Sequence, residues 1–361
     1  MTAQLQFTRY LYAKDEAEVS FLISLLKKNE KALFWAYELF HSGYDLCGLF
    51  WKVYYDFYAT VNPAFEKYLA TKMKQGLDEH SVCAIVKNFI IRRYNTDVFM
   101  VRNIVKQFDI ERDDNKGILE LLVTDDSPLK KVDFISIGSF ILEYIQEGDL
   151  VDNYKLALEY FVKQDIRIDV TKALTDFKKN PLRRTMFLAK VVHYFSVLKQ
   201  VKMGRNLYIQ IEDGQTNVYN TIEEQAGRQY KVLPVARKYN IDDDNYLSLF
   251  KLSRETTDPV EAFRENWLFH ASFSPLWSSR IESHGGSVKQ NKVTFEKEDD
   301  EEKFNERFNL EPDEQKLEVQ EKSTGKIKQE RDWLSFYKEH KCEGIVDVDE
   351  ELLTQIEKVA Y

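Results

Sequence analysis

The sequence predicts a mainly α-helical protein: a bundle or solenoid-like N-terminal body with a smaller α+β C-terminal part. Three observations point there. Apolar residues recur at helical spacing through about the first 110 positions. Glycine and proline are few, 13 and 7 in 361 residues, which disfavours an all-β chain with many tight turns. Several glycines also fall where a helix would end.

Taken in order, Asp15 can cap a helix in which Val19, Leu22, Ile23 and Leu26 share a face. A second helix, with Leu33, Tyr37 and Phe40 inward, runs from about Glu30 and stops at Gly43. A third carries Leu46, Leu49, Phe50, Val53 and Phe57. Asn62-Pro63 reads as an N-cap followed by proline at the first helical position, and Gly76 closes that fourth helix. Two more carry Val82, Ile85, Val86, Phe89 and Ile90, then Val98, Val101, Ile104, Val105 and Phe108. Six helices with short connections imply antiparallel neighbours.

The polar run 109–117 reads as a linker. Helices resume at Phe134–Gln146, Tyr154–Gln164, Val170–Lys178 and Leu182–Gln200. After Gly204, NLYIQI (206–211) and QYKVLPV (229–235) read as strands. Helices return near Asp244–Arg254 and Pro259–Phe273. Gly285-Gly286-Ser287 is a hinge candidate. KVTF (292–295) and KLEVQ (316–320) read as strands around a short acidic helix near Asp300–Phe308, and helices near Lys328–His340 and Asp349–Val359 end the chain. The expected organisation is a helical domain at 1–110, a second helical segment at 118–204, a mixed α/β segment at 205–288, and an acidic, partly structured tail at 289–361.

Composition narrows the setting. Aromatics are dense, 24 Phe, 20 Tyr and 5 Trp, enough to bury a sizeable core. The three cysteines, Cys47, Cys83 and Cys342, are odd and sparse, which argues for a reducing compartment over a disulfide framework. The N-terminus lacks the apolar core of a signal peptide, and no apolar run reaches membrane-spanning length. Of the net charge of −9, residues 289–361 carry −8 and the remaining 288 residues carry −1.

Motifs of known chemistry are missing: the sequence contains no nucleophile elbow and no P-loop. His80 and Cys83 share a helix face, but two ligands do not make a zinc site. Asp242-Asp243-Asp244 lacks the glycine and alternation of a calcium loop and suits a helix N-terminus instead. The most informative charge feature is Phe177–Ile211, a stretch with no Asp or Glu and a local charge of +8. Its basic residues, Lys178, Lys179, Arg183, Arg184, Lys190, Lys199, Lys202 and Arg205, are the candidate anion or nucleic-acid-binding set. The competing reading is a solvated face balanced by the acidic tail, because the charges spread around the helix. The aromatic runs Phe34-Trp35, Tyr54-Tyr55 and Phe57-Tyr58 have acidic neighbours, which favours core packing over base stacking. No catalytic residue, metal ligand or cofactor is assigned.

YLYAKDEAEVSFLISLL (10–26), ALFWAYELFHSGYD (32–45), LFWKVYYDFYATVNP (49–63), YKVLPVARKYNIDDDNYLSLF (230–250), PLWSSRI (275–281) and NLEPDEQKLEVQEKS (309–323) together carry a family likeness. In these segments the chain resembles an uncharacterised protein family of nucleocytoplasmic large DNA viruses, including the phycodnavirus and mimivirus-like groups. The resemblance implies a viral protein of the host cytoplasm or the virion and brings no catalytic residues with it. The expected function is a non-enzymatic helical scaffold or adaptor, such as a minor virion or assembly component, with other viral proteins as partners. The alternative is a nucleic-acid-associated factor of viral replication or transcription that uses the 177–211 segment.

Overall fold

A computed structural model of the chain describes residues 6–12, 14–107, 117–123, 132–212, 214, 216, 266–308, 333–342, 344–348 and 354. The protein is mainly α, and among the described residues it has one small two-stranded sheet towards the C-terminus. Among the described residues its helices are α1 (Lys14–Leu26), α2 (Lys31–His41), α3 (Leu46–Val53), α4 (Phe65–Lys74), α5 (Glu79–Ile90), α6 (Asp97–Gln107), α7 (Ile118–Leu122), α8 (Phe134–Ser139), α9 (Leu150–Lys163), α10 (Val170–Lys179), α11 (Arg183–Leu198), α12 (Pro275–Ser283), α13 (Glu298–Phe308) and α14 (Trp333–His340). Residues 266–271 are also helical. Strands β1 (Gly286–Lys289) and β2 (Lys292–Phe295) pair antiparallel, Gly286 opposite Phe295.

The chain divides into two compact units that interleave along the sequence. One comprises 1–49, 75–91 and 208–332, the other 50–74, 92–207 and 333–361.

In the first unit α1, α2 and α5 pack together. Phe21, Leu22 and Leu25 of α1 and Val82, Ile85 and Val86 of α5 are fully buried. The N-terminal stretch is fastened by side chains rather than by a sheet. Ser42 Oγ accepts from Arg9 N at 2.7 Å, and Glu38 accepts from Arg9 Nε and Tyr10 N, both at 2.9 Å. Trp277 Nε1 donates to the Thr8 carbonyl at 3.0 Å. A second apolar cluster joins Phe7, Leu11, Trp277, Ile281 and Phe304, with Val293 and Phe295 of the hairpin packed against it.

In the second unit α6 contacts α8 and α11, and α9 contacts α7, α10 and α11. Gly138 lets α8 come close to α6: a Cβ there would lie 2.3 Å from Val101 Cγ1. Stacked and edge-on rings fill the core, with Tyr154 on Phe177 at 4.1 Å and Phe161 against Phe195 at 5.1 Å.

The helices expected from about Glu30 to Gly43, through Val82–Ile90, through Val98–Val105 and at Leu182–Gln200 are present as α2, α5, α6 and α11, with Phe108 outside the described residues, and Gly43 and Gly76 take φ of +80° and +84° just past their helices. Several local expectations need correction. Asp15 lies inside α1, where its carboxylate accepts from Glu16 N, and is not the cap. The third helix is not regular to Phe57: Tyr54–Tyr58 forms a π turn, closed by Ala59 N on the Tyr54 carbonyl. The helix expected over 134–146 likewise becomes a π turn at Phe140–Tyr144. Asn62 does not cap α4. Its amide donates instead to the Tyr58 and Arg93 carbonyls at 3.0 and 2.7 Å, and α4 begins at Phe65.

NLYIQI forms no ladder. Its backbone is held by side chains, Asn88 pairing with both N–H and C=O of Ile209 at 3.0 and 3.1 Å. Gly285-Gly286-Ser287 is no hinge but the entry to the hairpin, whose two-residue turn Gln290-Asn291 has φ of 49° and 60°. That pair of positive φ values suits the right-handed twist of paired strands. The helix at Glu298–Phe308 is present. The expected elements at 229–235, 244–254, 316–320 and the 109–116 part of the linker lie outside the described residues, as does 349–359 apart from Thr354. Among the described residues no helix is long and apolar enough to cross a membrane.

Candidate functional site

Helix α11 carries the middle of the basic segment, and the structure separates its charges. Lys178 and Lys179 end α10 and are exposed. Arg183 and Arg184 open α11, where the helix dipole disfavours positive charge. Both face Glu147, and Arg184 also donates to the Ile141 and Ile145 carbonyls at 2.8 and 2.6 Å, the second just past the π turn at Phe140–Tyr144. Lys190 pairs inward with Glu66 of α4. Lys199 lies 5.9 Å from the Phe134 ring centroid, and Lys202 and Arg205 are exposed beyond α11. The sixteen residues of α11 span about 24 Å, so Lys178 and Lys179 stand at one end of that rod and Lys202 and Arg205 beyond the other.

Lys190 is the centre of a polar cluster drawn from several helices. Glu66 receives its ammonium on Oε2 and the Tyr55 hydroxyl on Oε1 at 2.9 Å. Asn180, between α10 and α11, donates to the Tyr55 oxygen at 2.6 Å and orients it. The π turn at 54–58 is what sends Tyr55 to Glu66 and Asp56 to Arg102, whose Nη1 lies 2.8 Å from Asp56 Oδ1. One turn along α11 from Lys190, His193 Nδ1 meets the Thr60 carbonyl at 2.7 Å. A carbonyl only accepts, so Nδ1 carries the proton. The Tyr154 hydroxyl is buried with no hydrogen-bond partner among the described residues.

Burial and neighbouring charge shift Lys190, Tyr55, Tyr154 and His193. Burial works against the Lys190 charge, but Glu66 and Tyr194 together outweigh it and raise its pKa. Burial, and then the Glu66 charge, push Tyr55 well above the phenol range. Burial with Tyr194 and Glu66 does the same to Tyr154. Burial lowers His193 to about 4, so its ring is neutral at physiological pH. The cluster is therefore an ammonium–carboxylate pair, neutral phenols and a neutral imidazole. The phenols and the His193 ring are thereby moved away from pH 7, where general acid–base catalysis works best.

The sequence pointed to Lys190 but not to Glu66, Tyr55, Asn180, Tyr154 or His193, because the partners of Lys190 are supplied by other helices. His80 directs Nε2 to the Ile211 carbonyl at 3.3 Å, while Cys83 is buried. Among the described residues no group of three or more His, Cys, Asp or Glu is placed to hold a metal ion. Fold and cluster together define a helical protein with a neutralised polar core. Compared with known proteins, the chain matches no protein family, no curated protein and no solved structure.

Proposed function

We propose that the protein is a non-enzymatic helical scaffold or adaptor, and that it works in the setting its viral resemblance implies, the host cytoplasm or the particle of a large DNA virus. One observation carries the reading. The polar side chains of the cluster, Lys190, Glu66, Tyr55 and His193, are joined to one another or to backbone as struts between helices. They act on rigidity, which is what a platform for other proteins needs. The test is cross-linking and mass spectrometry of the tagged chain from infected cells, with purified particles beside it. The expected result is a reproducible set of viral proteins in stable proportion to the chain. A turnover reaction lost in a folded Lys190→Ala variant would overturn the reading.

The nucleic-acid reading keeps one supporting observation: Lys178, Lys179, Lys202 and Arg205 stay exposed. Their division between the two ends of α11 argues against one continuous phosphate track. Fluorescence anisotropy with labelled DNA and RNA over a salt series decides this. Binding whose logarithm falls steeply with log salt favours the alternative.

A further inference from the structure

The chain leaves α11 at Lys199, turns through Gln200 at a φ of 56°, and runs on to Leu207 without helix or strand. Within the second unit this stretch is fastened by its backbone. The Lys202 carbonyl accepts from Arg93 Nη1 at 3.3 Å, Gly204 N donates to the Val61 carbonyl at 2.7 Å, and the Leu207 carbonyl accepts from Arg92 Nη2 at 2.9 Å. Asn62 joins the same junction and donates to the Arg93 carbonyl at 2.7 Å. The approach is close enough to require glycine: a Cβ at Gly204 would lie 2.1 Å from Asn62 Oδ1.

Fastening by backbone leaves side chains to the solvent. Lys202, Arg205 and Leu207 are exposed, Leu207 by 58%, and Lys199 is half-buried. Arg93 is exposed beside Lys202, and Arg92 lies buried over the Phe65 ring, 3.9 Å from its centroid. Two arginines are thus added to the three cations of the segment by a part of the chain that the sequence sets 109 and 115 positions away. Residues 199–207 contain no Asp or Glu. Arg183, Arg184 and Lys190 meet Glu147 and Glu66, whereas Lys199, Lys202 and Arg205 enter no ion pair among the described residues.

We propose that Arg93, Lys199, Lys202, Arg205 and Leu207 form a docking surface for an acidic segment of a partner protein. The inference rests on the scaffold reading and names the chemistry of one partner. Carboxylates of the partner meet the cations, and an apolar side chain meets Leu207. The exposed leucine, and the lack of any aromatic ring in residues 199–207, favour a protein over a nucleic acid, whose phosphates offer nothing apolar and whose bases stack on rings. Because the backbone bonds already order the stretch, docking has little main chain left to freeze.

Fluorescence anisotropy with the full chain tests this. The probes are a labelled peptide of glutamate interspersed with leucine, the same peptide with glutamine in place of glutamate, and labelled single-stranded DNA and RNA. The glutamate peptide should bind at low salt and weaken as salt rises, and the glutamine peptide should not bind. Lys202→Glu combined with Arg205→Glu should weaken the glutamate peptide about tenfold, and Leu207→Ser should weaken it with the salt dependence unchanged. All three side chains are exposed, so the variants should keep the circular dichroism of the parent. A glutamate peptide that does not bind, or that binds the charge-reversed variant as tightly as the parent, overturns the proposal. So does nucleic acid that binds more tightly than the peptide and is indifferent to Leu207→Ser, which assigns the surface to phosphate. In the cross-linking experiment above, a partner set that the charge-reversed variant keeps whole overturns this surface and leaves the scaffold reading standing.

Discussion

Lys190 and Glu66 stand 124 positions apart in the chain, yet their charged ends meet with only 16% and 18% of the two side chains exposed. The pair ties α11 to α4, and Tyr55 and Asn180 complete its hydrogen bonds. Removing one partner leaves the other charge shielded from water without a counter-charge, which costs more than removing both. Lys190→Ala is expected to destabilise the protein by about 2–4 kcal/mol. Lys190→Met combined with Glu66→Leu should cost clearly less than the two single changes summed. Urea denaturation of the four chains in the cycle measures this, and simple additivity would count against the pair as a coupled unit.

His193 makes stability depend on pH with a definite sign. The unfolded imidazole titrates near 6.5, and the folded one is held down to about 4, first by burial. Between these values the unfolded chain binds the extra proton. Stability contributed by the neutral ring is therefore complete above pH 6.5 and is lost as the pH falls towards 4, by roughly 3 kcal/mol over the window. His193→Gln should flatten this part of the profile. Denaturation midpoints at pH 7 and pH 5 for both proteins check it.

The basic segment should split by role. Arg184 donates to one carbonyl within a π turn, Ile141, and to one just past it, Ile145, so Arg184→Ala should destabilise by about 1–3 kcal/mol. Lys178→Ala with Lys179→Ala touches only the exposed end of α10 and should stay within about 0.5 kcal/mol of the parent. Thermal unfolding compares them directly. If nucleic acid does bind, the lysine pair is the one whose loss should lower the salt slope, by roughly 0.7–0.9 per contact.

Among the aromatic residues, Phe50 and Phe57 are fully buried, while Trp35 and Trp51 are only half-buried. Phe57→Ala should cost about 3–5 kcal/mol. Trp35, in an edge-to-face group with Phe34 and Tyr12, should cost less when truncated. Chemical denaturation gives both values, and an unchanged midpoint for Phe57→Ala would contradict its place in the core.

The hairpin turn offers a stabilising change. Gln290 and Asn291 both hold positive φ, at 49° and 60°, and a glutamine there is strained where asparagine or glycine is not. Gln290→Asn with Asn291→Gly should raise stability by about 0.5–1 kcal/mol. Calorimetry of the full chain detects the shift in Tm.

The helical character was legible because it is a local property. Val82, Ile85, Val86 and Phe89 repeat at helical spacing and are all buried in α5, and Gly43 and Gly76 mark helix ends by the backbone freedom only glycine has without strain. The basic segment was equally plain as a run of charge. Its fate was not, since spacing on α11 does not say that Lys190 meets Glu66 or that Arg184 meets the Ile141 and Ile145 carbonyls.

By itself, then, the sequence determined the mainly α class, the places of most helices and the concentration of acidity near the C-terminus. The tertiary structure alone decided the two π turns, the failure of Asn206–Ile211 to form a strand, and the division of the basic residues into struts and exposed charges. It also decided the interleaving of the two units and the hold of Asp97 on Ile345. The physical reason is common to all of these. Periodicity and glycine act between neighbours within a few residues, whereas a π turn, a side-chain bond to backbone or a buried ion pair takes its energy from a partner that folding brings in from elsewhere in the chain.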